Sequence, residues 1–381
     1  MYLETGIWWR IARSILAEPP APRRLATQLS LFATMTGLGL SNGACMWLDE
    51  RLLPGVQRTP VADPLFIVGN ARSGTTLFHR LLCADTQRFM HFRTWEILLP
   101  AALQKRAVDR LVGLGQRSAR RLLDRLRTLE REQMREVRDL HPIGLDQPEE
   151  DEFLFMPAFA SPALCVLFPY LDRLGDLAHF DSRPARERMA SMRFYIECIR
   201  RQAYVRGGER MLLSKNPAFV SKMRTLAKVF PRARFVYLVR DPAEALPSLL
   251  QMLATIWRQM GFDPERVDAG VAELIEGGIR NYHYALEVLG ELSPARYAVV
   301  CYPDLIADPT AAVANVYRHF GFELAPDFRD RLTQASQRAG GHRTGHRYRL
   351  EDFGLDRERL RDELADIYEM LAASTVGNRA T

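Results

Sequence analysis

Residues 69–76 read GNARSGTT, preceded by the apolar run LFIV and followed by TTLFHRLLCAD, in which apolar residues recur at helical spacing. A glycine loop that leaves a buried strand and opens a helix points to an α/β fold, because its backbone N–H groups converge on one point and call for an anion there. The glycine spacing is that of the phosphate loop G-x-x-x-x-G-K-[ST], except that Thr75 stands where the lysine should be. That lysine reaches the β- and γ-phosphates of a nucleoside triphosphate, and the hydroxyl after it binds the metal. Here the cradle survives without its triphosphate lysine. Arg72 inside the loop, with the Thr75 and Thr76 hydroxyls, suits a 5′-phosphate bearing a singly charged extension better than ATP with Mg²⁺.

The α/β pattern continues. RMLLSKNP (210–217), ARFVYLVR (233–240) and RYAVVCY (296–302) read as further strands, and helical patterns follow each of them. Two of these helices open with Asp-Pro, an acceptor for the cap followed by proline at the first position, and Gly321 suits a C-terminal stop. Alternation of this kind predicts a P-loop-like three-layer core, a parallel sheet flanked by helices, with ligands at the carboxyl ends of the strands. Pro-rich stretches at 17–24 and 54–64 set off an N-terminal helical arm (1–60) from a main domain (61–381) that carries a helical insertion at about 97–206. Within that insertion an Arg-rich pattern from about 101 to 139 reads as an exposed helix, with a lesser role in drawing an anionic acceptor or lipid head group.

A net charge of +6 favours an anionic ligand or surface, but no basic block interleaved with aromatics points to nucleic acid. Five scattered cysteines without a C-x-x-C suggest a reducing, cytoplasmic compartment and no thiolate metal site. Only four of the 52 basic residues are lysine, which raises interest in each of the four. Residues 25–48 carry no charge and are long enough to span a bilayer, yet Gln28, Asn42 and three glycines make insertion marginal. An inserted helix would also export the rest of the chain by the positive-inside bias. A helical hairpin packed on the main domain, or lying on a membrane surface with IWWRIARSIL, fits better, and a homodimer is equally compatible.

PLFIVGNARSGTTL resembles the 5′-phosphosulfate loop of sulfotransferases that use 3′-phosphoadenosine-5′-phosphosulfate (PAPS), which implies loop contacts from Arg72, Ser73, Gly74, Thr75 and Thr76. FVYLVRDPAEALPSLL resembles the strand and helix that hold the 3′-phosphate, which implies Arg240 and Ser248 as its ligands. Pro247, just before Ser248, departs from the pattern and is expected to deform the helix. LLSKNPAF resembles the lysine segment of tyrosylprotein and related bacterial enzymes, placing Lys215 by the sulfonate, and VVCYPDLIADP implies Tyr302 beside the adenine. GGHRTGHRYRLEDFGL (340–355) resembles a closing loop over the nucleotide, with Arg343, His346 or Arg347 as phosphate contacts. The resemblance spans about 60–355 and implies transfer of a sulfonate from PAPS to an acceptor hydroxyl without a metal.

Such a transfer needs a base for the acceptor proton and cations for the departing oxygen. Arg72 and Lys215 are the expected cations. Glu96 in HFRTWEILLP occupies the position of the base in tyrosylprotein-type enzymes; His91, read as part of the second strand, is its rival, and His79 reads as structural or a minor loop contact. The acids of DQPEEDEF (146–153) read as a solvated face, or as a rim orienting a polar or cationic acceptor. Two alternatives stand beside transfer: a nucleotide kinase or NTPase with a degenerate loop, and a non-catalytic nucleotide-binding scaffold. The acceptor, a small molecule, glycan, lipid or peptide hydroxyl, is left open, with 97–206 expected to wall its site.

Overall fold

A computed structural model describes residues 2–18, 21–113, 144–339 and 349–377. Most of the Arg-rich stretch and the expected phosphate contacts Arg343, His346 and Arg347 lie outside the described residues.

Five parallel strands, β1 (Leu65–Val68), β2 (Phe89–Met90), β3 (Met211–Lys215), β4 (Arg234–Val239) and β5 (Tyr297–Cys301), form one sheet in the order β2-β3-β1-β4-β5. All four residues of β1 are buried, as expected for a central strand covered on both faces. Phe66 and Val68 point into a core with Phe219, Phe235 and Tyr237, while Leu65 and Ile67 point into a second core with Phe78, Leu81 and Val316. After β1 the chain builds β2 and β3 on one side of it and then crosses to β4 and β5 on the other, so the crevice that binds ligands in such sheets opens beside β1.

The helices begin and end where the local chemistry allows. The Asp241 carboxylate accepts from the Ala243 N–H at the head of Pro242–Gln259, Asp308 does so from Ala311 for Pro309–Phe320, and Gly321 closes the latter at φ 66°. Pro247 leaves Pro242–Gln259 unbroken. The helix has ten buried residues, and that packing outweighs one lost backbone hydrogen bond.

The first six helices are α1 (Thr5–Ala17), α2 (Pro22–Leu52), α3 (Pro54–Arg58), α4 (Thr75–Leu82), α5 (Thr94–Leu98) and α6 (Ala102–Gly113). The N-terminal arm is joined to the rest of the protein by a core of its own: Ile7, Ile11 and Ile15 of α1 pack with Leu253, Trp257 and Phe262. The fully buried residues of α2 are polar, and Leu25, Leu31, Phe32 and Met35 pack on that core beside them. Asp49 accepts from the Ala102 and Leu103 N–H groups at the start of α6 and pairs with Arg201 at 2.9 Å, both side chains fully buried. Among the described residues no helix is long and apolar enough to cross a membrane.

Candidate active site

The loop between β1 and α4 is shaped by two glycines. Gly69 sits at φ 145°, and a Cβ there would lie 2.2 Å from the Leu238 carbonyl oxygen of β4. Gly74 is left-handed, and its Cβ would meet the Tyr302 ring at 2.7 Å. Arg72 adopts φ 70°, a conformation costly for a residue with a Cβ, and this turns its Nε onto the Ser248 hydroxyl at 3.0 Å. The Arg72 carbonyl accepts from Arg240 at 3.2 Å. Arg240 lies over the Tyr302 ring, 4.3 Å from its centroid, while its Nε and Nη2 donate to Glu244. Ser73 and Thr75 are buried in the loop, and Thr76 accepts from Lys215 Nζ at 3.3 Å. The structure thus gathers Arg72, Ser73, Gly74, Thr75, Thr76, Lys215, Arg240, Ser248 and Tyr302 at the carboxyl ends of β1, β3, β4 and β5.

Lys215, with 1% of its side chain exposed, donates to Glu150 at 2.7 Å and lies 4.0 Å from Glu149. The acids of 149–152 are therefore not the solvated face that their density suggested: Glu149, Asp151 and Glu152 are buried. Charge in the interior needs partners, and this run finds one for each acid. Asp151 accepts from Tyr195, Ser214 and Asn216, tying the run to the end of β3, and burial pushes its carboxyl up to about 6. Glu152 pairs with Lys222 at 2.6 Å among the rings of Phe155, Phe180 and Phe219. Burial raises the Glu152 carboxyl and lowers the Lys222 ammonium from their ordinary values. Glu150, 17% exposed, is the member that opens towards the loop.

Glu96 is placed elsewhere. As the third residue of α5 it accepts from the Arg93 N–H and from Gln202 through one oxygen, and from Arg206 at 2.7 Å through the other. Burial alone would raise its carboxyl, but Lys105, the Arg93 N–H and Arg206 outweigh burial and hold it below the ordinary carboxylate value. It lines a cleft with His91, Arg206 and Arg210, and none of Arg72, Thr76, Lys215 or Arg240 reaches that cleft. The second strand stops at Met90, so His91 follows it; burial lowers the imidazole to about 4. His79, 6.2 Å from His91 between ring centroids, is buried on α4 and pushed far below its ordinary value by burial, so both rings are neutral near pH 7. No group of three or more His, Cys, Asp or Glu arranged to hold a metal occurs among the described residues.

The sulfotransferase family model matches residues 64–326, which include the loop and every strand of the sheet. The chain belongs to the sulfotransferase family. This sulfotransferase is 28% identical over 313 residues to the omega-hydroxy-beta-dihydromenaquinone-9 sulfotransferases of Mycobacterium bovis and Mycobacterium tuberculosis, covering 76% of this chain and 72% of theirs. Crystal structures of the sulfotransferases STF9 from Mycobacterium avium and STF1 from M. tuberculosis share its fold. The first has a TM-score of 0.71 at 18% identity, covering 97% of both chains, and the second 0.66 at 19%, covering 95% of this chain and 92% of its own.

Sequence reasoning missed Glu149 and Glu150 as the partners of Lys215. One signal was available: the acid run heads nineteen uncharged residues, 153–171, and carboxylates joined to so apolar a stretch are drawn inward with it.

Proposed function

We propose that this sulfotransferase takes the sulfonate from PAPS and delivers it to the hydroxyl of a lipid-like acceptor. The observation that carries the donor assignment is the meeting of Arg72, Ser248, Arg240 and Tyr302 around a loop whose glycines admit no Cβ. Those residues fit a ligand with two separated anionic groups and an aromatic base: N–H groups and Thr76 for the 5′ group, Arg240 and Ser248 for the 3′-phosphate, Tyr302 for the ring. When bound, PAPS would supply the activated sulfonate. Arg72 and Lys215 would hold that group, and Lys215 with Thr76 would neutralise charge appearing on the oxygen it leaves.

Glu150, rather than Glu96, is the proposed base. Its carboxylate faces Lys215 at the rim of the loop, whereas both Glu96 oxygens are engaged with Arg93, Gln202 and Arg206. Glu150 would take the proton of the acceptor hydroxyl as the new S–O bond forms and the bond to the 5′-phosphate oxygen breaks. The lipid character of the acceptor is supported by the menaquinone derivative named for the mycobacterial relatives.

The donor assignment is tested by calorimetry with 3′-phosphoadenosine 5′-phosphate, adenosine 5′-phosphate and ATP with Mg²⁺. Preference for the first, weakened by Arg240→Ala, is expected; indifference to the 3′-phosphate, or preference for ATP with Mg²⁺, would replace this reading with a kinase.

A further inference from the structure

Helix α2 keeps polar side chains at its deepest positions and leaves large apolar ones outside. Its fully buried side chains are Arg24, Gln28, Asn42 and Asp49, paired with Asp263, Tyr170, the Leu98 carbonyl and Arg201 respectively, while Leu25, Leu31, Phe32, Met35 and Met46, partly buried, pack on the cores beside them. Leu29, Leu40, Trp47 and Leu48 instead stand 38–52% exposed. From Leu25 to Leu48 no residue is charged, and the exposed polar side chains among them are the small hydroxyls Thr27, Ser30, Thr34 and Ser41. Trp9 and Leu16 of α1 and Leu52 are exposed as well, and these two helices hold seven of the twelve large apolar residues exposed among the described residues. A patch so concentrated calls for an apolar covering.

Charge identifies the covering. Arg13, Arg23 and Arg51 are exposed on the same two helices, and Arg51 lies 5.0 Å from the Trp47 ring centroid. The exposed acid beside them, Glu50, is paired with Arg201 at 3.2 Å. A second copy of the chain would bring these arginines against their own like, whereas lipid phosphates complement them.

We propose that the outward face of α1 and α2 lies on the surface of an anionic bilayer, with α2 in the membrane plane and Trp9 and Trp47 in the interfacial layer. A spanning arrangement is excluded by the buried polar side chains of α2 and their partners. The proposal also links surface to site. At Gly39, α2 packs so closely that a Cβ would sit 2.2 Å from the Pro157 carbonyl oxygen, and Pro157 belongs to the segment that begins with Glu149 and Glu150. The bilayer would thus lie behind the helix that braces the proposed acceptor side of the site. This rests on the lipid-acceptor reading for its biological purpose, and on the surface of α2 alone for its existence.

The test is flotation of the full-length protein with vesicles of phosphatidylcholine alone and of equal parts phosphatidylcholine and phosphatidylglycerol, without donor or acceptor. Salt-sensitive binding to the anionic vesicles is expected. Leu40→Glu with Trp47→Glu should reduce it by about tenfold or more, as should Arg23→Glu with Arg51→Glu, since apolar area and lipid attraction both set the affinity. Circular dichroism and melting confirm that each variant is folded, and quenching of Trp fluorescence by brominated lipid gives a second readout on the unaltered chain. Failure to bind by a monomer would overturn the proposal. So would a dimer, seen by sedimentation, that the same substitutions dissociate. Binding to vesicles by an enzyme that sulfates only water-soluble acceptors would sink the lipid-acceptor reading and leave the membrane face standing.

Discussion

Lys215 stands between the loop and an acid run, and its neighbours sort the carboxylates of this protein by task. Glu150, the proposed base, pairs with Lys215 beside the loop, whereas Glu96 caps α5 and pairs with Arg206. Glu150→Gln is therefore expected to lower kcat by about 10²- to 10⁴-fold while binding of 3′-phosphoadenosine 5′-phosphate changes little. Glu96→Gln should leave kcat within a few-fold and cost about 1–3 kcal/mol of stability in urea titration, because Arg206 and the Arg93 N–H lose a charged acceptor. The reverse pattern would restore Glu96 as the base. The pH dependences run in opposite senses. The Glu96 value is depressed by folding, so its contribution is present above its unfolded value and lost as pH falls through the folded one. Asp151 is raised to about 6, so its contribution is full below its unfolded value and lost as pH rises through about 6. Asp151→Asn should accordingly flatten the stability curve between about pH 4 and pH 6, measured by urea midpoints across that range.

Among the elements, the loop and α2 depend on glycine for reasons of contact. Gly69→Ala would drive a methyl group into the Leu238 carbonyl, and the expected result is loss of nucleotide binding in calorimetry together with a lower Tm. Gly39→Ala would push α2 off Pro157. It should cost about 1–3 kcal/mol and lower kcat more than it weakens nucleotide binding, since the segment bearing Glu150 shifts while the loop stays. Equal losses in both would mean that α2 does not brace the acid run. The strands, their following helices and the caps at Asp241, Asp308 and Gly321 were legible in the sequence, because each is governed by periodicity or by a contact within a few residues. The buried polar positions of α2 were not, since their partners lie as far away as Asp263 and Arg201.

On the scale of the whole molecule, the Pro-rich connectors set off an N-terminal arm, and its helices pack on the rest of the protein through Ile7, Ile11 and Ile15 and through Asp49. Without residues 1–58, Arg201 would lose Asp49 and Glu50, and Trp257 would lose the isoleucines of α1. Arg201 would keep Glu197 at 2.7 Å, but breaking the buried Asp49–Arg201 pair by removing one partner costs about 3–5 kcal/mol. That is a large share of the ~5–15 kcal/mol of a whole domain, so the truncated chain is expected to melt without a cooperative transition, or not to fold, by calorimetry. A truncated chain that melts normally would show that the arm is an accessory. The sequence alone determined the parallel α/β core, the glycine loop and the order of the residues gathered at the strand ends, because strand, turn and helix are local and glycine spacing dictates where N–H groups converge. Tertiary structure alone decided which carboxylate faces Lys215, which side of α2 turns outward and what Asp49 does 152 residues from Arg201. Carboxylates and guanidinium groups offer the same chemistry wherever they occur in a chain, and only packing determines which of them meet.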